Sequence, residues 1–243
     1  MNKIYKINIT ILSLFALFFA TQTFAASPFD RTSIFCSEWN EIDAKISSKI
    51  TERETMFETK KENRMTDLGS KWTEIDAKRE AKRLEADTVL STQIASLNTK
   101  ATTDAERQAI AKYETSVKNA LETRRLAIDE IIQDYRSNIN IAIENRNEIA
   151  GSAVDEFKNS VNSAISEISI QCENDVSTRD IRENLRSAME QARENLKNTI
   201  KSQDPKTSIE MYEIESAEKM KIIQEQFRNS LELARIELKQ AFE

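Results

Sequence analysis

The side chains that could do chemistry in this chain are few in kind. Its 243 residues include 41 Asp and Glu, 35 Lys and Arg, two Cys, two Trp and no His. Without histidine, the commonest general base and metal ligand is missing, and a hydrolase triad lacks its imidazole. Cys36 and Cys172 are the only thiols, and two cysteines so far apart cannot furnish a four-ligand zinc site. Carboxylate di-metal sites on helical bundles add Glu-x-x-His, which cannot occur here. Glu173-Asn174-Asp175 is too short for a calcium loop. With two Gly in all, a glycine-rich phosphate cradle is excluded. The many carboxylates are interleaved with Lys and Arg, as on the wet faces of amphipathic helices. The chain is therefore expected to be no enzyme, with no catalytic residue, cofactor or metal ligand. What remains for Cys36 and Cys172 is a disulfide, and for Trp39 and Trp72 a contact role.

The elements that hold these residues must be helices. Two Gly and two Pro stand against roughly 17 and 12 at average usage, and strand-rich folds spend both in turns. Apolar residues recur every third or fourth position from Phe35 through Trp39, Ile50, Leu68 and Leu90 to Leu97, a helical period. The stripe stops at 98–102, where Thr103 and Glu106 form a capping box that restarts a helix. A second stripe runs from Ile110 to Cys172 over 62 residues in 17 steps, or 3.65 per step. Its two charged members are Arg124 and Arg146, read as snorkelling side chains. A step near 3.65 approaches the 11-residue repeat and predicts nearly straight pairing. Two polar runs, Lys60–Arg64 and Lys78–Arg83, interrupt the first stripe and are expected to pack loosely.

An antiparallel hairpin turning near 98–104 brings Cys36 and Cys172 together, because their midpoint, residue 104, falls on that turn. In an oxidising compartment the pair closes as a disulfide. The same register sets Trp72 near Tyr135 and Arg136, and Phe57 near Gly151. Ser177 with Asp180 then caps a third helix, and Asp204-Pro205 opens a fourth. The predicted fold is all-α: a long antiparallel hairpin over 26–172, then a C-terminal helical pair over 173–243 with its break at 203–206. The two shorter helices are expected near the disulfide-closed end, leaving the turn end as a two-helix arm open to self-association.

Residues 1–25 read as a secretory signal peptide. Lys3 and Lys6 precede an apolar run over 7–20, and Thr23-Phe24-Ala25 supplies small residues before a cleavage point at Ala25-Ala26. The run is shorter than the roughly 20 residues of a membrane span. Cleavage would remove two Lys and leave 33 basic against 41 acidic residues, a net charge of −8. Such a chain repels phosphate backbones, so nucleic acid is not an expected partner, nor is stable membrane insertion after cleavage.

Ser37-Glu38-Trp39-Asn40-Glu41-Ile42-Asp43-Ala44-Lys45 recurs 33 residues later as Ser70-Lys71-Trp72-Thr73-Glu74-Ile75-Asp76-Ala77-Lys78. Three 11-residue units put both copies on one helix side. Trp39 and Trp72 are thus candidate partner contacts, with repeated core packing the simpler account.

The signal peptide, the Cys36 region with its long charged hairpin, and Cys172 leading into Ile181-Arg182-Glu183-Asn184-Leu185-Arg186 resemble uncharacterised exported, coiled-coil-rich all-helical proteins of bacteria. That resemblance implies no activity. The plan is also similar to helical periplasmic holdase chaperones, although their strand core and basic arms are missing here. The expected function is a non-enzymatic exported scaffold or interaction protein of the periplasm or cell surface, with protein partners and possible homo-oligomers. The alternative is a holdase-like chaperone for unfolded exported clients.

Overall fold

A computed structural model describes residues 32–174 and 176–243. The signal peptide, its cleavage point and the Ser27-Pro28 helix start lie outside the described residues. The described chain is all-α, with α1 (Thr32–Ser37), α2 (Trp39–Lys100), α3 (Asp104–Glu173), α4 (Thr178–Ser202) and α5 (Lys206–Gln240). The first long helix, expected to be continuous, is interrupted at Glu38. There the Glu38 carbonyl accepts from both Glu41 N (3.0 Å) and Ile42 N (3.1 Å), a local tightening of the helical turn.

The helix boundaries follow from capping chemistry. Residues 101–103 separate α2 from α3. The Thr102 and Thr103 amides donate to Glu106 Oε2 at 2.5 and 2.9 Å, and Glu106 N donates to Thr103 Oγ1 at 3.2 Å. This is the expected capping box, and it satisfies amides that have no partner within the helix. Ser177 Oγ accepts from Asp180 N at 3.2 Å at the start of α4. Asp204 Oδ1 accepts from Lys206 N at 3.1 Å at the start of α5.

The described residues fall into two compact units, one of 32–61 with 143–206 and one of 62–142 with 207–243. The division runs across the long helices rather than between 172 and 173. On α2 it falls within the polar run Lys60–Arg64. In the first unit α2 and α3 run antiparallel and α4 packs against them. Phe35, Trp39, Phe157, Val161, Ile168 and Ile181 are among its buried residues. Cys36 and Cys172 are disulfide-bonded there, with Cα atoms 5.5 Å apart. In the second unit, Leu90 and Ile94 of α2 meet Ile110 and Val117 of α3 and Ala234 of α5, with Leu231 and Leu238 packed alongside.

The placement of α5 corrects one expectation. Only α4 packs with the disulfide-bearing residues; from Thr207 onward α5 covers the helix ends that flank the 101–103 turn. That end is a three-helix bundle, not a bare two-helix arm. A pair of helices buries one narrow stripe on each, whereas a third helix lets Ile110 reach 1% exposure. A Cβ at Gly151 would meet nothing within 4 Å, so no ring fills the space beside that glycine.

Candidate functional site

The chemistry-bearing side chains concentrate where the apolar stripe of α2 lapses. Between Ile75 and Leu90, the positions that continue the stripe at helical spacing are Arg79, Arg83 and Asp87, with Asp76 beside Ile75. Facing them on α3 are Arg125, Asp129 and Arg136. Asp76 accepts both guanidinium nitrogens of Arg136, at 2.8 and 2.6 Å. Arg83 Nη2 donates to Asp129 Oδ1 at 2.7 Å. Arg125 donates to both Asp87 oxygens at 3.1 and 2.6 Å. Arg79 joins Asp76 (3.0 Å) and Asp129 (3.4 Å). The result is a cross-helix ladder of alternating charge in place of a hydrophobic seam.

The ladder overturns the expectation that Lys78–Arg83 packs loosely. Arg79 and Arg83 keep only 25% and 20% of their side-chain exposure. Their stems lie along the helix pair while the planar guanidinium groups meet carboxylates in a forked geometry. The Arg136 hydrogen bonds hold the Asp76 carboxyl below the ordinary carboxylate range, and Arg125 does the same for Asp87. The hydrogen bond to Asp129 raises Arg83 further still. Asp76, Asp87 and Arg83 are each shifted toward their charged forms, so none of the three is poised to exchange a proton near neutral pH. Among the described residues, no group of three Asp, Glu or Cys side chains is placed to hold a metal ion.

The tryptophan repeat ends in two different environments. Trp39 is 4% exposed, stacks obliquely on Phe35 with centroids 5.7 Å apart, and donates from Nε1 to Ser169 Oγ at 2.9 Å. Ser169 in turn donates to the Ile165 carbonyl at 3.2 Å. Trp72 is half-buried, with the Arg136 guanidinium carbon 5.3 Å from its ring centroid. Arg136 and Ser169 are themselves 33 residues apart. Each copy of the repeat therefore meets the same station on α3, and that station decides the outcome. A serine lets the first ring sink into the core, while an arginine caps the second as a cation–π contact. Trp39 is thus a core residue with both its ring and its N–H engaged, which corrects its candidacy as a partner contact. The Trp72–Arg136 contact matches the expected register. The solvated pair Glu41–Lys45 (2.6 Å) also recurs as Glu74–Lys78.

A further site escaped sequence reasoning. Where α5 crosses α3, an open groove of about 430 Å³ is lined by Asn119, Thr123, Arg124, Phe227, Ser230 and Leu233, among others. Arg124 lies over the Phe227 ring at 4.9 Å and reaches Gln224 Oε1 at 3.5 Å. Its Nε is buried with no hydrogen-bond partner. Burial, then the charges of Arg125 and Arg83, lower the Arg124 pKa from its ordinary value. Its place on the apolar stripe was the available signal; the partner was unreadable because α5 is 100 residues away in sequence. Nearby, Tyr135 reaches Glu213 Oε1 at 3.5 Å, and burial pushes its phenol up to about 12.

Among the described residues no helix is long and apolar enough to cross a membrane. The disulfide is consistent with an oxidising compartment. No known protein family, curated protein or solved structure matches the chain.

Proposed function

We propose that this protein is an exported, non-enzymatic scaffold that works through protein contacts made by its helical surfaces. One observation carries the reading: the ladder charges between α2 and α3 are engaged with each other, while large apolar side chains stay in water. Leu84 (61% exposed), Leu126 (64%) and Leu233 (65%) are examples from three different helices. Exposed apolar side chains supply surface for protein contact where they gather into a patch. The disulfide supports export, as does the leader-like composition of residues 1–25.

The test is photo-crosslinking from positions 84, 126 and 233 in producing cells, with the compartment scored by thiol alkylation. The expected result is saturable capture of discrete protein partners by chain whose Cys36 and Cys172 resist alkylation. Alkylated chain confined to the cytosol, with no saturable product, overturns the proposal. The same exposed side chains favour a holdase as the second reading. Suppression of client aggregation at stoichiometric amounts would decide for it.

A further inference from the structure

Helix α5 is apolar on two opposite faces. One faces the bundle, through Ile209, Phe227, Leu231, Ala234 and Leu238. The other faces water, through Met211 (56% exposed), Ile214 (62%), Ile222 (54%), Leu233 (65%) and Ile236 (46%). At about 100° per residue these five, with exposed Glu218, Glu225 and Asn229, form one straight row.

The row has an internal symmetry. Its spacings from Met211 to Ile236 are 3, 4, 4, 3, 4, 4 and 3, the same in both directions. An antiparallel copy centred between Ile223 and Gln224 therefore sets Met211 against Ile236 and Ile214 against Leu233 at both ends. The charges choose this orientation. The centre then carries Glu218 beside Arg228 of the other copy, and Glu225 beside Lys221. Beyond them, Glu210 on the same flank faces Arg235 and Lys239. This register sets Ile222 against Glu225, whereas a parallel copy would set Ile222 on Ile222 but stack Glu218 on Glu218 and Glu225 on Glu225.

We infer that the outer face of α5 is a self-recognition surface that pairs with a second copy of this chain in antiparallel register. The inference rests on the reading that the protein works through protein contacts, and it names one of them. The row from 211 to 236 is about 39 Å long and a helix is about 10 Å across, so the strip covers roughly 800 Å² over both copies. Stable complexes bury about 1,200 Å² or more, so the pair is reversible and its population depends on concentration.

Sedimentation equilibrium of the purified full chain, with its native disulfide intact, tests this from about 1 to 300 μM. A monomer–dimer equilibrium is expected. Leu233→Glu and Ile214→Glu should each raise the dissociation constant at least about tenfold, because the symmetric contact receives two carboxylates at once. Val89→Glu, on an exposed site of α2, should leave it unchanged. All three positions are exposed, and unchanged circular dichroism confirms folding. Oxidising a mixture of Ile214→Cys and Leu233→Cys chains should give the mixed dimer in excess over either self-pair. Monomer at every concentration, a dimer indifferent to Leu233→Glu, or a predominant 214–214 crosslink overturns the inference. Because only the purified chain is used, a monomer that still captures other proteins in cells sinks the pairing and leaves the scaffold reading standing.

Discussion

Removing the two partners of the Asp76–Arg136 pair, singly and together, should cost unequal amounts, and the inequality follows from what each side chain touches. Asp76 makes a forked pair with Arg136 and a second contact with Arg79. It keeps 39% of its side chain exposed, so water screens it and the pair is worth about 1 kcal/mol rather than the several of a fully buried one. Asp76→Ala should therefore cost about 1 kcal/mol. Arg136 does more. It covers the Trp72 ring, for another 0.5–1 kcal/mol or so, and its stem fills space between α2 and α3. Arg136→Ala should cost about 2 kcal/mol in all. It does not strand a carboxylate, because Arg79 remains 3.0 Å from Asp76. The double variant should show a coupling of about 1 kcal/mol. Urea unfolding followed by circular dichroism at 222 nm measures all three. Equal single costs, or a coupling indistinguishable from zero, would refute the ladder as a stabilising seam and return it to a solvated face.

The remaining expectations concern other parts of the chain. Replacing both Cys36 and Cys172 by Ser opens a loop closed across 136 residues, which in the chain-entropy account costs up to about 5 kcal/mol; limited proteolysis should then cut first within 32–61 or 143–206. Ile181→Ala removes a side chain with 0% exposure from the core beside the disulfide, at a cost of 2–5 kcal/mol or so in the same unfolding assay. Asp76 and Asp87 titrate below their unfolded values, so the unfolded chain binds protons first as pH falls. Their stabilisation is complete above the ordinary carboxylate range of about 4 and is lost as pH drops through the depressed folded values. The melting temperature should hold from pH 7 to about 5 and fall below about 4, less steeply in Asp76→Asn; an unchanged slope in that variant would count against the pairing.

Much of the fold was legible because helices announce themselves locally. The stripe from Ile110 to Cys172 has no exposed member, and the caps at Thr103, Ser177 and Asp204 form where side-chain oxygens could reach orphan amides. The disulfide followed from one turn position and two residue numbers, since antiparallel helices with equal rise map sequence onto distance. The ladder was harder. Asp76, Arg79, Arg83 and Asp87 stand at seam spacing, but a charge on a helix looks the same in sequence whether it meets water or an opposite charge. Only the cross-helix register distinguishes the two.

The sequence by itself determined the element type, the helix ends, the pairing of α2 with α3 and the closure at Cys36–Cys172, all of which depend on local periodicity and one dominant register. The tertiary structure alone decided which Trp is buried, that Arg124 meets Phe227, and that α5 covers the turn-flanking helices instead of the disulfide end. Those outcomes compare alternative dockings of one amphipathic helix, and α5 carries apolar residues on two faces. Its sequence marks it as able to pack, but the choice of partner rests on shape and charge assembled from segments about 100 residues apart.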